Sequence, residues 1–125
     1  MRGVLILFLL VAFVRASEPE VLSDVYYTDA KSHLQALDVY SPKEGSGHPV
    51  IVWIHGGGWK KGDKAGLQKK PQAFVEKGYV LVSINYRFLP EVTLKEMMSD
   101  IAKAIRWVRE NAAKHRGDPD SLVIM

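Results

Sequence analysis

An α/β domain with a mostly parallel sheet and an antiparallel start is the fold class this sequence predicts, and three observations predict it. The continuous apolar run Val50-Ile51-Val52-Trp53-Ile54, and Tyr79 to Ile84, which repeats the pattern, read as strands covered on both faces. A helix-forming segment between them supplies the crossover that parallel strands require. A long amphipathic pattern from Thr93 then leads to a third apolar run, Leu122 to Met125. With 125 residues, 47% hydrophobic and 25% charged, the chain has room for one domain. It has no Cys, which excludes a disulfide framework and any cysteine-ligated zinc or iron-sulfur centre.

The first residues stand apart. Met1 and Arg2 give a short basic start, Val4 to Val14 carries no polar side chain, and Val14-Arg15-Ala16 ends in the small-residue pattern of a cleavage site. Residues 1–16 are therefore expected to be a signal peptide, exporting residues 17–125 to a periplasmic or secreted location. A retained anchor is the poorer reading, because Arg15 stops the run well short of the roughly 20 apolar residues of a membrane span. Of the 17 Lys and Arg, two lie in this segment, and the remaining 15 face 14 Asp and Glu, a net charge of +1. Such a balance gives no support to a nucleic-acid partner.

The mature segment divides in order. Val21 to Thr28 and Leu34 to Tyr40 read as strands joined by a hairpin connection at Asp29-Ala30-Lys31-Ser32, the second with the mixed alternation of a half-exposed edge. Ser41 to Pro49 holds two Pro and two Gly and reads as a turn. After the first apolar run come three glycines, and Leu67 to Lys77 has the composition of the crossover helix, stopped by Gly78. Thr93 and Glu96 stand at capping-box spacing, and Leu94, Met97, Met98, Ile101, Ile105, Val108 and Ala112 recur on a helical period. Glu110 and Lys114 are spaced as an ion pair, Lys114 to Arg116 suit the negative helix end, and Gly117 suits the cap. Asp118-Pro119-Asp120 then turns the chain into the final strand.

Ligands of open α/β sheets bind beyond the carboxyl ends of the strands, which directs attention to His55-Gly56-Gly57-Gly58-Trp59. With Lys60 to Lys64, Ser83-Ile84-Asn85-Tyr86-Arg87, the Pro90 region and the Asp100 to Trp107 helix, this stretch resembles the α/β-hydrolase superfamily, in its HGGG-type carboxylesterase and lipase branch. That branch includes the hormone-sensitive-lipase-like and feruloyl-esterase-like carboxylesterases. The resemblance implies the N-terminal half of an α/β-hydrolase fold and a serine carboxylic-ester hydrolase working without metal or cofactor. Its substrate would be a small-molecule or polysaccharide-linked ester. Gly57, Gly58 and Trp59 would be the oxyanion-hole residues, because backbone N–H groups fixed toward a developing negative oxygen are worth roughly 2.7–4 kcal/mol each. Glycine lets the backbone approach a substrate with no Cβ in the way.

By the same resemblance His55, Gly56 and Asp63 organise the loop, and His55 is not the general base. Arg87 and Asp100 form a structural pair fixing the long helix. Trp59 either lines a substrate pocket or packs in the core. His33, His48 and His115, and the lysines at 60, 61, 64, 69, 70 and 77, are expected on solvated surface. No phosphate-loop or dinucleotide pattern stands here.

The family pattern places a G-x-S-x-G nucleophile elbow directly after the strand at Leu122 to Met125, and none of the eight serines has that context. No member of the catalytic triad is therefore expected in these residues, and the chain reads as truncated before the elbow, its last strand leaving an apolar edge. The alternative is a non-catalytic hydrolase-like binding module. The 125-residue chain alone is expected not to hydrolyse p-nitrophenyl acetate above buffer; turnover that a serine-directed inhibitor abolishes would overturn that expectation.

Overall fold

The computed structural model describes residues 17–125; residues 1–16, expected from the sequence to be a signal peptide, lie outside the described residues. Five strands form one mixed sheet: β1 (Glu20–Tyr26), β2 (Ala36–Ser41), β3 (His48–Ile54), β4 (Val80–Ile84) and β5 (Gly117–Ile124), in the order β1-β2-β4-β3-β5. β1 and β2 pair antiparallel, as do β2 and β4, whereas β3 runs parallel to both β4 and β5. Helices α1 (Lys70–Glu76) and α2 (Leu94–Asn111) make the two crossovers.

The doubly covered strands explain why β3 and β4 read as continuous apolar runs. Successive side chains point to opposite faces. Val50, Val52, Val80 and Val82 meet Met97, Ile101, Ala104 and Val108 of α2 on one face, and Ile51 and Leu81 meet Leu67 on the other, beside Phe74 of α1. Ser83, the one polar residue within β4, is buried and donates its hydroxyl to the Lys64 carbonyl at 2.8 Å. Thr93 caps α2 as its spacing predicts: its Oγ1 accepts from the Glu96 N–H at 3.2 Å, and the Glu96 carboxylate accepts from the Thr93 N–H at 2.7 Å.

Several sequence expectations are corrected. β2 is an interior strand, not a half-exposed edge, because β4 inserts beside it by antiparallel pairing; β1 is the edge. Leu34 and Gln35, expected to begin the second strand, instead belong to a one-turn 3-10 helix, His33–Gln35, with Ser32 as its cap. The crossover helix α1 is shorter than predicted, since Pro71 fixes its first turn and residues 67–69 lie in turns before it. Glu110 pairs with Arg106 at 2.9 Å rather than with Lys114. A second 3-10 turn, Ala112–His115, follows α2, and the left-handed residue that ends it is Arg116, at φ 63°, not Gly117. The turn at Asp118-Pro119-Asp120 becomes a bulge inside β5, where the Asp118 carboxylate accepts from the Asp120 N–H at 2.9 Å.

Among the described residues β5 pairs only with β3, and Val123, Ile124 and Met125 each stay about half exposed, the apolar edge that the final run implied. No helix among the described residues is long and apolar enough to cross a membrane. Neighbouring methionines on α2 provide a test of which face is core. Met97 is fully buried and Met98 is 51% exposed. Met97→Ala should destabilise by about 2–5 kcal/mol and Met98→Ala by less than about 0.5 kcal/mol, read as urea midpoints; equal effects would contradict the assigned helix face.

Candidate functional site

β3 ends at Ile54, and the loop that follows turns sharply at the carboxyl edge of the sheet. The Lys60 N–H donates to the Gly57 carbonyl at 3.3 Å, closing a four-residue turn whose central residues, Gly58 at φ 61° and Trp59 at φ 66°, are both left-handed. That is the pattern of a type I′ turn. Gly57, at φ 138°, is packed so closely that a Cβ would run into the Lys61 carbonyl. Trp59 has no such freedom: a bulky residue in the left-handed region costs about 1–3 kcal/mol and persists only where neighbours hold it. Its carbonyl accepts from the Leu89 N–H at 2.9 Å, which ties the turn to the segment after β4. Among the described residues, the N–H groups of Gly57, Gly58 and Trp59 donate to no backbone carbonyl.

His55 sits under this turn and is buried. Its Nδ1 donates to the Gly56 carbonyl at 2.8 Å, its ring stacks on Tyr86 at 4.7 Å between centroids, and the Phe88 ring meets it edge-on. Since a carbonyl can only accept, the proton lies on Nδ1. Nε2 is buried and has no hydrogen-bond partner among the described residues. The fully buried Tyr86 donates its hydroxyl to the His55 carbonyl at 2.8 Å, and burial pushes that phenol's pKa up, keeping it a donor. Ile54, His55, Gly56, Gly58, Trp59 and Tyr86 line a cleft of about 440 Å³.

A polar network holds the far end of the loop. The Asp63 carboxylate accepts from the Ala65 N–H at 2.8 Å, from Asn85 Nδ2 at 3.2 Å, and faces His33 Nε2 at 2.6 Å. Burial raises its pKa, but these hydrogen bonds and the imidazole outweigh burial and bring it down to about 2. Lys64 is bonded to three strands of the sheet and to Asn85 just past β4. Its N–H donates to Asn85 Oδ1 at 2.7 Å, its carbonyl accepts from Ser83 Oγ at 2.8 Å, and its buried ammonium lies 2.7 Å from Asp38 and 2.8 Å from Asp24. Burial lowers the Lys64 pKa, and the two carboxylates more than reverse this.

Arg87 and Asp100 lie together behind the loop. The guanidinium grips the carboxylate through Nε at 2.8 Å and Nη2 at 2.9 Å, while Gln35 Nε2 donates to it at 2.9 Å. Asp100 has no exposed surface; burial raises its pKa, and Arg87 with Gln35 turns the net shift downward.

The structure therefore gathers His55, Gly56, Gly58 and Trp59 around one cleft with Gly57 in the same turn, and places Asp63, Arg87 and Asp100 in the support around it. Three expectations are corrected. Lys64 is buried, because Asp38 in an interior strand needs a counter-charge. His48 is only partly exposed and bridges the Gly78 and Glu44 carbonyls at 2.9 and 3.0 Å. His115 is half-buried, its ring stacked on Trp107. Sequence reasoning missed Gln35, Lys64, Asn85 and the buried role of Tyr86.

A mixed sheet with helices on both faces and a glycine turn at the end of a central parallel strand defines an α/β-hydrolase-type fold with its loop at the expected strand end. The BD-FAE family model matches residues 37–125, and the chain belongs to that family. It is 30% identical over 119 residues to a probable isoprenylcysteine alpha-carbonyl methylesterase of Arabidopsis thaliana, covering 94% of this chain and 25% of that protein. Over 82 residues it is 40% identical to esterase LipQ of Mycobacterium tuberculosis, covering 61% of this chain and 18% of the relative. Among solved structures, esterase B of Lactobacillus rhamnosis superposes with a TM-score of 0.79 at 26% identity, over 86% of this chain and 35% of that one. The chain thus spans about a quarter or less of these two curated relatives.

Acid stability tests the supporting carboxylates. Asp63 and Asp100 have folded pKa values below their unfolded ones, so each stabilises the fold above about pH 4, and the contribution fades as pH falls, for Asp63 through about 2. The urea midpoint should drop between these limits, and Asp63→Asn should flatten the drop. An unchanged slope in that variant would contradict the assigned network.

Proposed function

We propose that this chain supplies the oxyanion-hole half of the active site of a serine carboxylic-ester hydrolase. The observation that carries the reading is the set of backbone N–H groups at Gly57, Gly58 and Trp59, which among the described residues have no carbonyl partner, in the turn at the cleft. When a nucleophile adds to an ester carbonyl, the oxygen becomes an alkoxide, and donors already fixed around it stabilise the tetrahedral state with no reorganisation. Gly57 and Gly58 are the principal donors and Trp59 the third; His55, Gly56 and Asp63 hold the turn in shape. His55 is no general base in this scheme, since its Nδ1 proton is committed to Gly56 and its Nε2 is buried.

The serine nucleophile, its acid and its histidine come from outside residues 17–125, and the reaction proceeds through an acyl-enzyme without metal or cofactor. The substrate is a carboxylic ester, the chemistry shared by the names of the relatives, acting at an exported location if residues 1–16 are a signal peptide. The full-length gene product should therefore react with a fluorophosphonate probe and hydrolyse p-nitrophenyl acetate. Gly57→Ala should lower kcat about 10²–10³-fold through displacement of the turn while the probe still labels the serine. A full-length protein with neither labelling nor turnover would overturn the proposal and favour a binding module.

A further inference from the structure

The glycine turn rests on the limb that returns from it, residues 61–63, with no space between the two. A Cβ on Gly57 would run into the Lys61 carbonyl, and one on Gly62, at φ 119°, would run into the His55 ring and the Gly56 carbonyl. Contacts this close transmit any shift of the limb to the turn. The limb ends at Asp63, whose carboxylate reaches two residues distant in sequence, Asn85 at 3.2 Å and His33 at 2.6 Å. His33 belongs to the 3-10 turn between β1 and β2, which Ser32 caps. It is held by its backbone as well as its ring: its carbonyl accepts from Asn85 Nδ2 at 3.0 Å, the same nitrogen that donates to Asp63. Asn85 is fully buried and takes the Lys64 N–H on its oxygen at 2.7 Å. Asp63, which titrates at about 2, is ionised near neutral pH and can only accept, so His33 Nε2 is the donor of the pair.

Resting on the ester-hydrolase reading, we propose that His33 is a positioning residue for the oxyanion turn, acting through its Nε2 hydrogen bond to Asp63. The path is short and continuous. His33 holds Asp63, Gly62 next to it packs on His55 and Gly56, and Lys61 packs on Gly57. The imidazole touches no substrate. It removes slack from the limb, which the longer Asn85 bond alone would leave, and so keeps the Gly57 and Gly58 N–H groups aimed at one point. Donors that act by preorganisation need geometry held within about 0.5 Å, and a misplacement of about 1 Å can cost about 10²-fold in rate.

Three measurements on the full-length protein test this. With p-nitrophenyl acetate, His33→Leu should lower kcat about tenfold while KM moves less than about twofold, since only the transition state uses the donors fully. His33→Gln, whose amide nitrogen reaches the place of Nε2, should recover most of that loss, and His33→Asn, whose amide stops at the place of Nδ1, should not. Independently of turnover, nuclear magnetic resonance of protein isotope-labelled at glycine nitrogen and glycine carbonyl selects amides that follow a glycine. The signals of Gly57 and Gly58 are the two that vanish in Gly57→Ala, and both should shift in His33→Leu and return in His33→Gln. An unchanged kcat, a loss confined to KM, equal activity of the Gln and Asn variants, or glycine signals that stay in place would each overturn the proposal. Signals that shift and return in a protein that hydrolyses no ester would leave the hold of His33 on the turn standing and remove the ester-hydrolase reading instead.

Discussion

A loop that keeps its N–H groups away from backbone carbonyls cannot hold itself in place, and much of the polar structure around the sheet end follows from that constraint. The turn at Gly57–Lys60 has one long internal hydrogen bond, at 3.3 Å. Everything else that fixes it comes from outside: the Leu89 N–H on the Trp59 carbonyl, the Tyr86 hydroxyl on the His55 carbonyl, and the close packing of Gly57 on Lys61. Lys64 anchors the returning limb to strands β1, β2 and β4 together. Such support leaves the turn rigid while its donors remain unspent, which is the condition electrostatic preorganisation requires.

Two buried ion pairs fix the elements that carry this support, and they do so by geometry more than by energy. Removing a charge pair from water costs much of what the attraction returns, so a well-formed buried pair contributes little net stability, while loss of one partner strands the other. Asp100 joins α2, the end of β4 and the start of β2 through Arg87 and Gln35. Lys64 joins the loop to β1 and β2 through Asp24 and Asp38. Each pair is multiply hydrogen-bonded, so a shifted register in any of these elements leaves charge uncompensated. The apolar layers under α1 and α2 tolerate small shifts; these charges do not.

Local signals carried the parts of the fold that local physics determines. The apolar runs of β3 and β4, the capping box of α2 and the glycine turn depend on neighbours a few residues apart, and each was legible. The interior position of β2 was not, because its alternation looks the same whether its second neighbour is solvent or β4. The long bulge at Asp118–Asp120 resembled a turn for a similar reason: its side chain makes a turn-like bond, and only the pairing of Gly117 with His48 shows that the strand has already begun. At the site, the glycines and the Arg87–Asp100 pair were visible as a pattern. Lys64 was hidden among six similar lysines, since its burial depends on Asp24 and Asp38, residues 40 and 26 positions away. Gln35 and Asn85 were hidden likewise, because amides announce nothing until a buried carboxylate or N–H group needs them.

The central claim is that the turn at Gly57 to Trp59 receives the negative oxygen of an ester's tetrahedral intermediate. A structure of the full-length protein after reaction with a serine-directed alkyl phosphonate tests it most directly, because the phosphonyl oxygen stands where that oxyanion would. The oxygen should lie about 2.7–3.1 Å from the backbone nitrogens of Gly57 and Gly58, in the cleft that His55 and Tyr86 floor. A phosphonate attached elsewhere, or one whose oxygen points away from these nitrogens, would contradict the claim.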